Sequence, residues 1–185
     1  MLYSFMTTEE LDNILVQVKP QALFLKDTGA IPNNSKLPLL IYGQALNLPK
    51  KNGAPIIEQL VQAHSWGGCW RDGIYPYHHY HSTAHEVLLV YSGQATVQLG
   101  GEQGETHTIR TGDALILPAG TGHKRLAASD DFALVGAYPD GQDWDMCYGK
   151  PGERPKVDEN IKRVPLPIAD PIYGPDGPLL RLWHK

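Results

Sequence analysis

Hydrophobic and polar positions alternate along this chain in two different ways. Near the start, Leu11, Ile14, Leu15 and Val18 recur at i, i+3, i+4 and i+7 behind Thr7 and Glu10, which stand at capping-box spacing. This predicts a short amphipathic helix that stops near Pro20. Ala22–Leu25 and Leu39–Tyr42 read as short strands on either side of a turn-rich stretch, Asp27–Pro38, where Gly29, Pro32, Asn33 and Asn34 cluster. A second helix is predicted over Pro55–His64, with Pro55 at the first helical position and Ile56, Ile57, Leu60 and Val61 on one apolar stripe.

From Trp66 onward the pattern becomes short β-rich runs broken by glycine. They are Gly73–His81, Val87–Tyr91, Ala95–Leu99, Thr106–Arg110, Ala114–Leu117, His123–Ala127 and Phe132–Tyr138. Seven closely spaced strands predict an all-β sandwich or barrel. Eight of the fifteen prolines fall in the last 47 residues, which predicts an extended, non-helical tail. That tail also carries Val164, Leu166, Ile168, Ile172, Leu179, Leu180 and Trp183, so it is expected to pack along the barrel or a partner subunit. The expected organisation is one domain over 1–185, with N-terminal strands and helices (1–65), a barrel core (66–138) and an extended arm (139–185).

Composition narrows the picture. At 185 residues the chain has the length of one domain, and 19 Gly with 15 Pro favour turns over long helices. The net charge of −4 is spread without a Lys/Arg block, so a surface that tracks phosphates is not expected and neither is a nucleic-acid partner. Apolar runs such as Leu115–Leu117 are far shorter than the roughly 20 residues a membrane span needs. Glu9, Glu10 and Asp12 stand where a signal peptide would be basic and then apolar, so the expected compartment is the cytoplasm. Cys69 and Cys147, without CxxC spacing, are expected to be reduced thiols.

The chemistry concentrates in the histidines, four of which lie between 78 and 85. His79 and His81 are two apart, so on a strand both rings project from one face. Glu86 follows a stretch able to bend, and His123 follows the Pro118–Gly122 turn, available to the same cavity if the sheet rolls up. Three imidazoles and a carboxylate suit one divalent transition metal (Fe, Mn, Ni, Cu or Zn) and leave positions for water or substrate. A His-rich strand taken alone is equally compatible with polar surface or a hydrogen-bonded core histidine.

The wider spacing adds to this. Gly73, five residues, His79, one residue, His81, four residues, Glu86, six residues and Gly93 match the first motif of the cupin superfamily. Gly112, five residues, Pro118, one residue, Gly120, two residues and His123 match most of the second, 18 residues after Gly93. Ala127 stands where that motif usually has Asn. The segments Asp27–Asn34, Trp70–Gly73, His78–Val87 and Gly122–Leu126 resemble the YjlB-type small bacterial cupins from about residue 22 to 148. The resemblance implies a double-stranded β-helix (a jelly-roll barrel) holding a metal inside and, as in many small cupins, a homodimer; it implies no particular activity.

Neighbouring residues carry further expectations. Tyr75 and Tyr77 share the ligand face and line the substrate pocket or simply fill core, while His78 and Tyr80 face away. His85 either supports the site structurally or reaches the pocket rim as an acid or base. Arg125 shares a strand face with His123; it points into the barrel and binds an anionic substrate, or pairs with Asp130 or Asp131 at the surface. The expected function is a metal-dependent enzyme on a small polar molecule, of dioxygenase, isomerase or lyase type. The alternative is a non-catalytic small-ligand binder or sensor.

Overall fold

A computed structural model describes residues 7–184. Among them the chain forms α1 (Thr8–Asp12), β1 (Gln21–Leu23), β2 (Leu39–Tyr42), α2 (Gly53–Ala63), β3 (Trp66–Asp72), β4 (Glu86–Ser92), β5 (Gln94–Leu99), β6 (Glu105–Arg110), β7 (Ala114–Leu117), β8 (His123–Ala128), β9 (Ala133–Pro139), α3 (Lys156–Arg163) and α4 (Pro178–Trp183). All strand pairings are antiparallel. They make a six-stranded sheet, β1-β2-β7-β4-β9-β3, and a three-stranded sheet, β6-β5-β8. This is the expected all-β jelly-roll architecture.

The strands β4, β7 and β9 are buried almost throughout because their sheet is covered on both faces. Leu88, Val90, Leu115, Leu117 and Leu134 meet Ala95, Val97, Leu99 and Ile109 of the smaller sheet to form the barrel interior. On the opposite face, Val87, Leu89, Ile116, Val135 and Ala137 pack against Ile57, Leu60 and Val61 of α2 and against Ile172, Leu179 and Trp183 of the C-terminal segment. Glu86 opens β4 in phase with Leu88, so the period-2 rule turns it toward the interior.

Three expectations change. The capping box of Thr7 and Glu10 forms in full, but α1 ends after five residues and Leu15 pairs with Leu46 as a bridge, because tertiary pairing overrides the helical period there. No strand covers 73–81. Pro76 cannot donate to a ladder, so the run makes isolated bridges, and the strand lies earlier as β3, with a register shift between Gly67 and Trp70 at the positive φ of Gly68. The tail is not simply extended. Its prolines introduce helices instead of preventing them: Pro155 precedes α3 and Pro178 opens α4. Among the described residues no helix is long and apolar enough to cross a membrane, and Cys69 and Cys147 are free.

Candidate metal centre

His79 and His123 form a hydrogen-bonded antiparallel pair. The His79 N–H donates to the His123 carbonyl at 3.2 Å, and the His123 N–H donates back at 3.0 Å. Directly opposed residues project from the same face, which places their ring centroids 4.1 Å apart. His81 lies on the same side, 5.9 Å from His79 and 6.3 Å from His123. The buried Glu86 carboxylate sits between them, with Oε1 3.4 Å from His81 Nε2 and Oε2 3.5 Å from His123 Nε2. Four side chains from three stretches of sequence therefore meet inside the barrel.

Their orientation is set by the backbone. The Nδ1 of His79 faces the Tyr77 carbonyl (3.3 Å), that of His81 the Asp145 carbonyl and that of His123 the Thr121 carbonyl (3.0 Å). A carbonyl only accepts, so each Nδ1 carries a hydrogen and each neutral ring keeps its lone pair on Nε2. That is the tautomer a metal site requires, held by the hydrogen bonding typical of such sites. Glu86 Oε1 accepts from the Tyr138 hydroxyl at 3.0 Å, whereas the buried Oε2 has no hydrogen-bond partner.

Protonation states follow from the same surroundings. Burial works against ionised Glu86, but the charge and hydrogen bond of His81, with His123 and His79 beyond, outweigh it and hold the carboxyl down at about 2. Burial, then His79, pushes His123 down to about 3, and burial lowers His79 as well. At His81 burial opposes the charged form, but Glu86 more than compensates and the shift is upward.

The donor set fits a divalent metal ion. Separations of 3.4 and 3.5 Å are long for hydrogen bonds but close to the spacing of neighbouring donors that each lie about 2.0–2.2 Å from one ion. Among the described residues no group of three or more His, Cys, Asp or Glu side chains stands in an arrangement that could hold a metal ion as it is.

These groups line a cavity of about 200 Å³ whose remaining wall is chiefly apolar and aromatic. Larger surface clefts, of about 860, 690 and 610 Å³, contain none of the four residues. Trp70 donates from Nε1 to the Tyr138 hydroxyl at 2.9 Å, which in turn donates to Glu86. The Trp70 ring lies against Gly136 of β9, where a Cβ would come within 2.2 Å of it. Gly136→Ala is therefore expected to displace Trp70, break this hydrogen-bond chain and cost about 2 kcal/mol, measured by urea unfolding with near-UV circular dichroism reporting the indole. Trp144 stacks on Tyr138 (5.9 Å, 24°) and lies 5.0 Å from the His81 ring. Its loop is tied to the chain just after His81 by Asp145, which accepts from the Ser82 N–H (2.6 Å) and hydroxyl and from the Thr83 N–H (3.2 Å).

The other predicted residues divide. Tyr75 lines the cavity. Tyr77 does not; it stacks on Tyr75 from outside (5.0 Å, 12°). Arg125 lies against the cavity lining: its backbone N–H donates to the Tyr75 carbonyl at 2.9 Å and its Nε to the Ile74 carbonyl at 3.0 Å. In β8, His123, Lys124 and Arg125 pair in step with Leu99, Gln98 and Val97, so Arg125 keeps the face of His123, and the register shift falls beyond it, between Arg125 and Ala127. Among the described residues no ion pair joins Arg125 to Asp130 or Asp131, and the Asp131 carboxylate accepts from the Ser92 hydroxyl. His85 is fully buried away from the cavity, with Nδ1 accepting the Ala119 N–H at 2.9 Å and the ring 4.8 Å from Trp183. Burial pushes it down to about 4. His78 and Tyr80 face away from the four ligands as expected, the Tyr80 hydroxyl donating to Glu153 at 2.7 Å. Trp70, Tyr138, Trp144 and Met146 are wall residues that sequence reasoning missed, since no spacing ties them to the histidines.

A two-sheet antiparallel barrel with three histidines and a glutamate converging inside it defines a cupin. The family model described as "Cupin domain" matches residues 72–135. The chain is 45% identical over 165 residues to "Uncharacterized protein YjlB" of Bacillus subtilis (strain 168), covering 89% of this chain and 97% of that one, and so it belongs to the YjlB-type cupins. Among solved structures, the chain is similar to the acireductone dioxygenase of Bacillus anthracis with a cadmium ion in its active centre (16% identity, 60% of this chain and 83% of that one, TM-score 0.40). It is also similar to the WlaRB TDP-quinovose 3,4-ketoisomerase of Campylobacter jejuni (18% identity, 51% and 74%, TM-score 0.37).

Proposed function

We propose that this cupin is a metal-dependent enzyme that holds one divalent transition metal through His79, His81, Glu86 and His123 and acts on a small molecule in the adjoining cavity. The observation that carries this reading is the shared ring orientation: three backbone carbonyls accept from three Nδ1–H groups, which leaves the three Nε2 atoms to face the site, beside a carboxylate with an unpartnered oxygen. A bound ion would supply a Lewis acid with open positions, suited to oxidation by O2, isomerisation or elimination. The chain's own residues do the rest. Tyr138, whose phenol is kept protonated by burial and by the charge of Glu86, orients the carboxylate. Trp144 and Tyr75, both partly exposed, form the apolar wall against which the small molecule would lie.

Protein purified without chelators and reloaded with Fe, Mn, Ni, Cu or Zn is expected to hold about one equivalent per chain by elemental analysis. Glu86→Gln and His123→Ala are each expected to lower affinity by more than about tenfold. Wild-type stoichiometry and affinity in both variants would remove the proposal. A metabolite screen on loaded protein, reading thermal shift together with O2 uptake and product formation, separates catalysis from ligand binding alone.

A further inference from the structure

We infer that Asp145 is a positioning residue of this site: its carboxylate docks a remote loop onto the chain just after His81, and the docked loop presents the carbonyl that turns the His81 ring toward Glu86. The inference rests on the proposed metal centre and adds how one of its ligands is oriented. The three rings are not held alike. The carbonyls facing Nδ1 of His79 and His123 belong to Tyr77 and Thr121, each two residues earlier in the same stretch, so local backbone sets both rings. The carbonyl facing His81 Nδ1 belongs to Asp145, 64 residues away in sequence. It lies within 142–146, which form neither helix nor strand. The orientation of His81 therefore depends on where that loop lies.

The docking is the work of the Asp145 side chain. Oδ1 accepts from the N–H groups of Ser82 (2.6 Å) and Thr83 (3.2 Å), and Oδ2 from the Ser82 hydroxyl and the Cys147 thiol (3.3 Å). The Asp145 N–H donates to the Thr83 hydroxyl oxygen at 3.0 Å, and the Ser82 hydroxyl accepts in turn from Asn160 Nδ2 of α3 at 2.9 Å. Burial opposes the ionised carboxylate, but the hydroxyl and N–H of Ser82 outweigh it and lower its pKa, so these contacts are charge-assisted. Trp144 and Met146 of the same loop line the cavity, so one carboxylate places both a ligand and part of the wall. The backbone bridge between Tyr80 and Cys147, 2.9 Å in each direction, pins the end of the loop independently. Loss of the carboxylate is therefore expected to displace the Asp145 carbonyl without freeing the loop.

The test reads the ring nitrogens of His79, His81 and His123 by heteronuclear NMR of the metal-free protein at alkaline pH, where the rings are neutral, and the affinity for Zn²⁺ by competition titration. In the wild type all three rings are expected as the Nδ1–H tautomer. Asp145→Ala is expected to convert His81 alone to a mixture of tautomers and to weaken Zn²⁺ binding about tenfold. Asp145→Asn keeps an acceptor for the two N–H groups and is expected to restore the His81 signal and to stay within about threefold of wild-type affinity. A carboxylate that merely stabilised the fold would move all three rings together, so an equal change at all three overturns the inference, as does an unchanged His81 in folded Asp145→Ala. Should that variant not fold, Ser82→Ala, which removes the hydroxyl on Oδ2, is read in the same way: a change confined to His81 supports the inference and an unchanged His81 overturns it. The two ideas fail separately. A wild-type protein that binds no Zn²⁺ or other divalent metal defeats the proposed function, while the tautomers still decide the role of Asp145. Wild-type tautomers and affinity in Asp145→Ala defeat the positioning role alone.

Discussion

The double variant His79→Ala, His81→Ala is expected to keep its fold and lose nearly all of its metal, with affinity falling by more than about 100-fold. Two of the four donors disappear, and His123 with Glu86 alone makes too incomplete a set to compete with water. The fold survives because the contacts that place these residues are made by the main chain. The His79–His123 bridge and the Tyr80–Cys147 bridge are backbone hydrogen bonds, and the two large apolar clusters contain none of the four side chains. Elemental analysis beside a far-UV melting curve checks both halves: unchanged occupancy would defeat the ligand assignment, and an unfolded variant would show that the rings themselves hold the barrel together.

Asp170→Ala is expected to destabilise the protein by about 3–5 kcal/mol without changing its metal content. Asp170 is fully buried, and its carboxylate collects four hydrogen bonds. Oδ2 accepts from the Tyr42 hydroxyl (2.7 Å) and the Leu179 N–H (3.1 Å), and Oδ1 accepts from the N–H groups of Ile172 (2.9 Å) and Tyr173 (3.1 Å). Alanine leaves these donors buried in a cluster with no other acceptor close by. The result is loosening of the C-terminal segment from the outer face of the six-stranded sheet, where Ile172, Leu179 and Trp183 are packed. Asp170→Asn keeps one carbonyl oxygen and is expected to cost less. Urea midpoints at constant slope measure the difference, and a shift below about 1 kcal/mol for alanine would show that water or rearranged backbone satisfies the freed groups.

Local patterns in the chain were enough for most elements of the barrel. Apolar runs bounded by glycine located β2 and β4 to β9 to within a residue or two, because strands of a two-layered sheet are short and turn residues punctuate them. The period of Ile57, Leu60 and Val61 found α2, and the spacing of His79, His81, Glu86 and His123 marked four residues that the fold does bring together. Such features depend on residues near one another in sequence, or on a motif whose spacing encodes the turns between them. The rest was decided by contacts between distant segments. Gly67 and Gly68 hid β3, which exists because β9 pairs with it; Leu15 leaves the helical pattern to bridge Leu46; and α3 and α4 form in a stretch whose proline content argued against helix. The cavity wall shows this most clearly. Arg125 keeps the period-2 face of His123 and its Nε meets the Ile74 carbonyl, whereas Trp70, Tyr138 and Trp144, which no spacing pointed to, reach the site from β3, β9 and the loop beyond it. A histidine pair two residues apart can specify a ligand face by itself, since the strand period orients both rings. Which side chains surround that face, and with what charge, depends on how remote strands pair and where they bulge, and only the packed barrel determines that.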